Sequence, residues 1–137
     1  MLTSILFSFS FFKTTFPANV KDFNGKLGDI TTIIEENENL TAVIFGADWC
    51  IDCIRLERYL SNLATKNPDT LFLRVDVQKY FQFRGIFKIY HIPDVRFYYR
   101  NMTQLGQIVE GTGMQVHSEL RSIRKVLNLK NPSKKRL

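Results

Sequence analysis

Cysteine is scarce in this chain. Two among 137 residues are too few for a disulfide-stapled mini-protein, and a structural zinc site built from cysteine alone needs four. Proline and glycine are sparse too, at four and seven, which excludes collagen-like and linker-dominated sequences. No apolar run reaches the roughly 20 residues of a transmembrane helix. Acids are missing from the end of the chain: all 13 lie at or before Glu119. The seven basic residues from Arg121 onward are therefore unopposed, whereas 12 basic residues face those 13 acids before them. The net charge of +6 belongs to the tail. A basic body would point to nucleic acid, but a basic tail complements the dipole of a last helix, and no nucleic-acid partner is expected.

What is present suits one soluble globular domain: 45% apolar and 23% charged residues, in a chain long enough to bury a core. We divide it into an apolar extension (1–17), a domain (18–129) and a basic tail (130–137). The extension interleaves Leu2, Ile5, Leu6, Phe7, Phe9, Phe11 and Phe12 with hydroxyl residues, and carries no charge before Lys13. Residues 1–16 have two readings. One is a targeting or membrane-associating segment, although the basic start is missing and bulky Phe16 precedes the nearest cleavage candidate, after Ala18. The other is an added strand, because Phe7 to Phe11 alternates with period two. The compartment stays open with them, secretory, periplasmic or membrane-associated against cytoplasmic.

Beyond Pro17 the pattern is regular. Val20 to Phe23 reads as a short strand, and Asp29 to Asn37 as a helix with Asp29 as its N-cap. Leu40 to Gly46 is a continuous apolar run, the mark of a strand buried on both faces. A helix from Cys50 to Lys66 follows, with Cys53, Leu56, Leu60, Leu63 and Ala64 as its buried stripe. Then come a strand from Thr70 to Val77, a helix from Gln78 to Tyr90, a hairpin of Val95 to Tyr99 and Gln107 to Val109 around Arg100 to Gly106, and a closing helix from Val116 to Leu127. The aromatic run Tyr80, Phe81, Phe83, Phe87 and Tyr90 reads as core plus edge. The order β-α-β-α-β-α-β-β-α predicts an α/β fold: a central mixed sheet with helices on both faces.

One motif carries chemistry: Trp49-Cys50-Ile51-Asp52-Cys53, where a buried strand feeds a helix. Cys50 at the helix start faces free backbone N–H groups and the positive end of the dipole, which favour the thiolate that attacks disulfides. Cys53, one turn on, can close a disulfide with it and heads the apolar stripe, as the buried, less reactive member. A carboxylate at Asp52 disfavours a thiolate beside it, and a less stabilised thiolate form makes a less oxidising couple. His91 and His117 are the only histidines. His117 lies far along the chain from the cysteines, so no metal site is expected. His91 stands on the rim of the cysteines, as a solvated loop residue or as a tuner of Cys50.

From Val20 to Leu127 these residues resemble the thioredoxin superfamily. The resemblance rests on VIFGADWCIDC after a buried strand, on Ile92-Pro93 opening the strand DVRFYY, and on Val109-Glu110-Gly111 before the last helix. Within the superfamily, Ala47 to Tyr59 is most similar to the C-terminal domain of DsbD-type thiol:disulfide interchange proteins. The resemblance implies a cis Ile92–Pro93 bond facing the disulfide. It also implies a groove lined by Trp49, Ile51, Asp52, Ile92, Pro93 and Gly111, where the backbone of Ile92 pairs with an extended client. The chain departs from the family at Ile44, where a buried Asp is usual, and at Phe72, where its lysine partner is usual. Glu57, at four residues beyond Cys53 on the same helix face, is the natural substitute as proton acceptor. Its other reading is a surface acid paired with Arg58 or nearby lysines.

The expected function is a thiol–disulfide oxidoreductase that reduces protein disulfides, with Cys50 attacking and Cys53 resolving. Expected partners are disulfide-containing client proteins and a regenerating reductase or membrane electron donor. No cofactor is expected, and the chain is read as a monomer. A secretory or periplasmic oxidase or isomerase is the alternative. A redox-inert binding module comes third, and two intact cysteines speak against it.

Overall fold

The computed structural model describes residues 15–129. The apolar segment up to residue 14 and the tail from residue 130 lie outside them, and with them both readings of the N-terminal extension. Nine elements follow in the expected order: β1 (Val20–Asp22), α1 (Asp29–Glu36), β2 (Leu40–Gly46), α2 (Ile51–Lys66), β3 (Leu71–Asp76), α3 (Gln82–Ile86), β4 (Asp94–Tyr99), β5 (Gln104–Val109) and α4 (Gly113–Val126). The five strands form one mixed sheet in the order β1-β3-β2-β4-β5. β1, β3 and β2 run parallel, whereas β4 is antiparallel to β2 and β5 to β4.

Strand periodicity sorts the core into two layers. On one face Ala42, Ile44, Phe72, Val95 and Phe97 pack against Leu56, Leu60 and Leu63 of α2 and Leu120 of α4. On the other, Val43, Phe45, Leu73 and Val75 meet Ile30 and Ile34 of α1 and Phe83 of α3. β2 is covered on both faces, which is why its sequence is an unbroken apolar run. The buried residues of α2 are the predicted five, Cys53, Leu56, Leu60, Leu63 and Ala64. Burying each of its leucines is worth about 2 kcal/mol before entropy is counted.

Three expectations about boundaries are corrected. Asp29 is the first residue of α1 and not its cap; Gly28 holds that position, and the Asp29 carboxylate accepts the Lys26 N–H at 2.7 Å. The helix expected from Gln78 to Tyr90 shrinks to five residues. The Asp76 carboxylate accepts the N–H groups of Gln78 and Lys79 at 2.8 and 3.3 Å, which makes a turn where the helix would begin. Lys88, at φ 52°, ends the element in the left-handed region. The hairpin is tighter than expected, because β5 starts at Gln104 and Arg100 turns the chain at φ 63°.

Buried polar groups fasten the end of the sheet that precedes β3. The Asn19 side-chain amide donates to the carbonyls of Ala64, Asn67 and Thr70 at 3.0, 2.9 and 2.9 Å. Arg124, in the last turn of α4, forks onto Asp69 and bonds Asn67 and Thr70. Part of the basic C-terminal run is thus structural. No helix among the described residues is long and apolar enough to cross a membrane.

His117 of α4 is the weak point of this packing. Its Nδ1 is buried without a hydrogen-bond partner. Burial first, then the charges of Lys66 and Arg121, push the imidazole below its ordinary range. A base whose folded pKa is lowered is protonated more readily in the unfolded chain. Its contribution is therefore complete above the unfolded value of about 6.5 and is lost as pH falls through the folded value. Denaturant midpoints measured between about pH 8 and about pH 5 should drop on the acid side, and His117→Gln should remove part of that slope. An identical slope in the variant would assign the drop to other groups.

Candidate active site

The site forms where β2 hands the chain to α2. After Gly46 the backbone turns through Ala47, whose carbonyl accepts the Cys50 N–H at 3.2 Å. Cys50 is the N-cap of α2, extended at φ −84° and ψ 115°. Its sulfur does the work a serine or aspartate oxygen does at other helix starts, accepting the Cys53 N–H at 3.2 Å. Both sulfurs are free thiols. The Cys50 thiol also donates to the Ile92 carbonyl at 3.8 Å, which ties the helix start to the loop before β4.

Cys53 lies in the first turn, below Cys50 and facing the sheet. A methyl group on Gly46 would stand 3.1 Å from its sulfur, a tight contact that would push the sulfur aside by a few tenths of an ångström. Burial pushes the Cys53 thiol up to about 12; the bond with Cys50 and the charge of Glu57 act in the same direction, and a backbone bond with Ala47 opposes them.

The remaining expected residues surround this pair unevenly. Trp49 and Ile51 are 63% and 66% exposed beside it. Asp52 is exposed and ion-paired with Arg55 at 3.1 Å, so solvent and a counter-charge both weaken its effect on Cys50, and it gives the less oxidising couple little support. Pro93 is buried behind a cis Ile92–Pro93 peptide. Its carbonyl accepts the Glu110 N–H at 2.7 Å, and through Glu110 the loop carrying Gly111 joins the same rim. A side chain at Gly111 would overlap Ile108, at 2.1 Å from its Cγ2. His91 is exposed, with Nδ1 3.8 Å from the Glu110 carboxylate. Among the described residues no cluster of His, Cys, Asp or Glu is arranged to hold a metal.

Ile44 and Phe72 are both buried in the layer under α2, so no acid–lysine pair stands there. Glu57 is neither a lone surface acid nor a partner of Arg58. Its Oε1 accepts from Arg74 of β3 at 2.5 Å. Glu57 and Arg74 share with Cys53 a cleft of about 310 Å³, walled also by Ile44, Gly46 and Asp76. Sequence reasoning missed Arg74. The available signal was a charge inside the apolar strand TLFLRVDV, on the same face as Phe72, since a cation placed there needs a partner.

Asp94 and Arg96 were missed for the same reason. They form a buried two-pronged pair at 3.2 and 3.1 Å directly after Pro93, and Gln107 donates to both carboxylate oxygens. Arg96 also lies over the rings of Phe45 and Phe87. In the aromatic run, Phe83 is core while Phe81 and Tyr90 are 65% and 75% exposed.

Residues 20–123 match the model of the thioredoxin family, and the chain belongs to that family. It is similar to the rat (Rattus norvegicus) thioredoxin domain-containing protein 2, at 32% identity over 73 residues. That match takes in 53% of this chain and 13% of the rat protein, so the chain spans only a small part of that relative's length. Among solved structures, the thioredoxin of Trichomonas vaginalis superposes with a TM-score of 0.72 at 26% identity, over 78% of this chain and 99% of that one. The thioredoxin of Trypanosoma brucei brucei gives the same TM-score at 23% identity, over 82% and 96%. The α/β expectation of a mixed sheet flanked by helices holds.

A thiol at about 12 is ionised to roughly one part in ten thousand at about pH 8. Burial, the first cause of that shift, persists in Cys50→Ser although the bond and charge of Cys50 are gone, so iodoacetamide should modify Cys53 there far more slowly than a free thiol. Mass spectrometry reads the outcome. Rapid modification of Cys53 would mean that its sulfur is far less buried than the structure has it.

Proposed function

We propose that this protein is a thiol–disulfide oxidoreductase acting as a reductase of protein disulfides. The observation that carries the proposal is the Cys50 sulfur at the N-cap of α2, bonded to the Cys53 N–H, with the Cys53 thiol buried beneath it. Cys50, as thiolate, attacks one sulfur of a client disulfide, and the other client sulfur leaves as a thiolate. Cys53 then gives its proton to Glu57 and attacks the Cys50 sulfur. The bond between Cys50 and the client breaks, the second client sulfur departs, and a Cys50–Cys53 disulfide remains. The client has gained two electrons and the protein has lost them. A separate reductase or membrane electron donor must restore the dithiol.

Trp49, Ile51 and Asp52 form one lip of the client groove, and Ile92, Pro93 and Gly111 the other. The Ile92 carbonyl, within reach of Cys50, is positioned to take a hydrogen bond from an extended client strand. The reductase direction is the proposed one, and Cys53 is compatible with it. Strong oxidants owe their potential to a stabilised thiolate form, and a resolving thiol raised to about 12 gains no such stabilisation near neutrality. The couple should sit near the thioredoxin value of about −270 mV, and a potential above about −200 mV would reassign the protein as an oxidase or isomerase.

Trapping experiments check the order of attack. Cys53→Ser should accumulate mixed disulfides with clients, because the resolving thiol is gone, while Cys50→Ser should accumulate few. Equal trapping by the two variants would refute the assignment.

A further inference from the structure

We propose that Arg74 is a positioning residue for the resolving step: it holds the Glu57 carboxylate against the cleft that the Cys53 sulfur lines, so that the proton leaves Cys53 by that route. This rests on the reading that Glu57 takes the Cys53 proton.

Glu57 lies on α2 with its side chain 42% exposed, and an acid so placed has solvent-facing rotamers open to it. Arg74 removes that freedom. It rises from β3 on the sheet face under α2, in register with Asp22 of β1 and Ile44 of β2. Its guanidinium spans two acids, with Nη2 at 2.5 Å from Glu57 Oε1 and Nη1 at 3.2 Å from Asp22 Oδ1. The ring of Phe16 covers it at 4.9 Å. Three contacts fix a side chain that is itself only 27% exposed. The anchor therefore belongs to the sheet, and α2 supplies only the group it holds.

Holding one oxygen leaves the other available. Arg74 engages Oε1, and no described residue donates to Oε2. The cleft of about 310 Å³ that Glu57 and Cys53 both line is roomy enough for several water molecules. Arg74 cannot be the acceptor, because a guanidinium has no lone pair to offer and does not deprotonate. Its part is geometric. The proton leaves Cys53 Sγ, reaches the Glu57 carboxylate directly or through water, and the freed thiolate forms the bond to Cys50 while the client sulfur departs with the electron pair.

The test isolates resolution. A mixed disulfide of Cys50 with 2-thiopyridine is prepared from 2,2′-dipyridyl disulfide at acidic pH, where Cys53 is slow, and the pH is then jumped. Release of 2-thiopyridone reports the attack by Cys53. With the carboxylate in place, the wild-type rate should vary little from about pH 6 to about pH 8. In Arg74→Met the rate near neutrality should fall about tenfold and then climb about tenfold per pH unit, because hydroxide must take the proton. Arg74→Lys should recover the shallow profile, and Arg74→Gln should behave as Arg74→Met does, which serves should the methionine variant fail to fold. Glu57→Gln should give the steep profile too, and adding Arg74→Met to it should change nothing.

A merely structural role would scale the rate and leave its slope untouched. A shallow profile in folded Arg74→Met or Arg74→Gln, beside a steep one in Glu57→Gln, overturns the role of Arg74 and leaves Glu57 as the base. A shallow profile in Glu57→Gln removes the Glu57 reading itself, and the Arg74 proposal with it.

Discussion

The arrangement depends on one hydrogen bond at a helix start, from the Cys53 N–H to the Cys50 sulfur. Four N–H groups at the beginning of any helix have no partner inside it, and a side chain or ligand must supply them. In α2 a sulfur fills that role, so the cap and the proposed nucleophile are the same atom. The cap cannot move without the helix, and the helix is held by the leucine stripe against β2. Cys50 is therefore positioned by the whole layer under α2, while Cys53 takes its burial from the same packing. Both cysteines are buried, at 8% and 6% exposure, and a single turn of helix makes one the cap and turns the other to the sheet.

A second constraint comes from charges placed inside the sheet. Asp94 and Arg96 are 2% and 7% exposed, an arrangement that costs several kcal/mol of desolvation per ion unless fully satisfied. The carboxylate takes two bonds from Arg96 and two from Gln107, and aromatic faces cover the guanidinium. That satisfied network lies directly behind Pro93 and spans β4 and β5, the two strands whose ends flank the proposed groove. At the other end of the molecule Arg124 binds Asp69, Asn67 and Thr70 and pins α4 to the turn before β3. The buried ions stand where loops need a fixed geometry, and the leucines supply the bulk of the burial.

Legibility in the sequence divides along the same line. The apolar run of β2, the stripe of α2 and the two cysteines at its start were readable, because each is written in neighbouring residues, as an unbroken run, a 3.6-residue stripe and a spacing of three. The helix around Phe83 was overread: its aromatics have helical spacing, but the Asp76 carboxylate competes for the first N–H groups. The charge in β3 was a local signal, but its pairing with Glu57 was not. Arg74 lies 17 residues away, and only the register of β3 against β2 brings it under α2. Local pattern carries elements and faces. Pairings between elements depend on register and packing, which no window of sequence contains.

The exchange of an acid and a lysine for Ile44 and Phe72 then has a physical sense. A buried ion pair is often no more stabilising than apolar residues of similar volume, and removing one member of it is expensive. Here the strand positions under α2 are apolar and contribute to the core, Phe72 being fully buried. The charged pair reappears at the edge of that layer, the acid on α2 and the cation two residues further along β3. At the edge the desolvation cost is smaller, since Glu57 keeps 42% of its side chain in solvent. What is given up is insulation. A half-exposed pair is screened by salt over a distance of about 8 Å at physiological ionic strength, whereas a buried one is screened much less. On the proposed reading, stability is gained in the core and proton transfer becomes sensitive to ions and solvent entering the cleft. The Arg74 anchor, shielded by Phe16 and shared with Asp22, is the feature that limits that exposure.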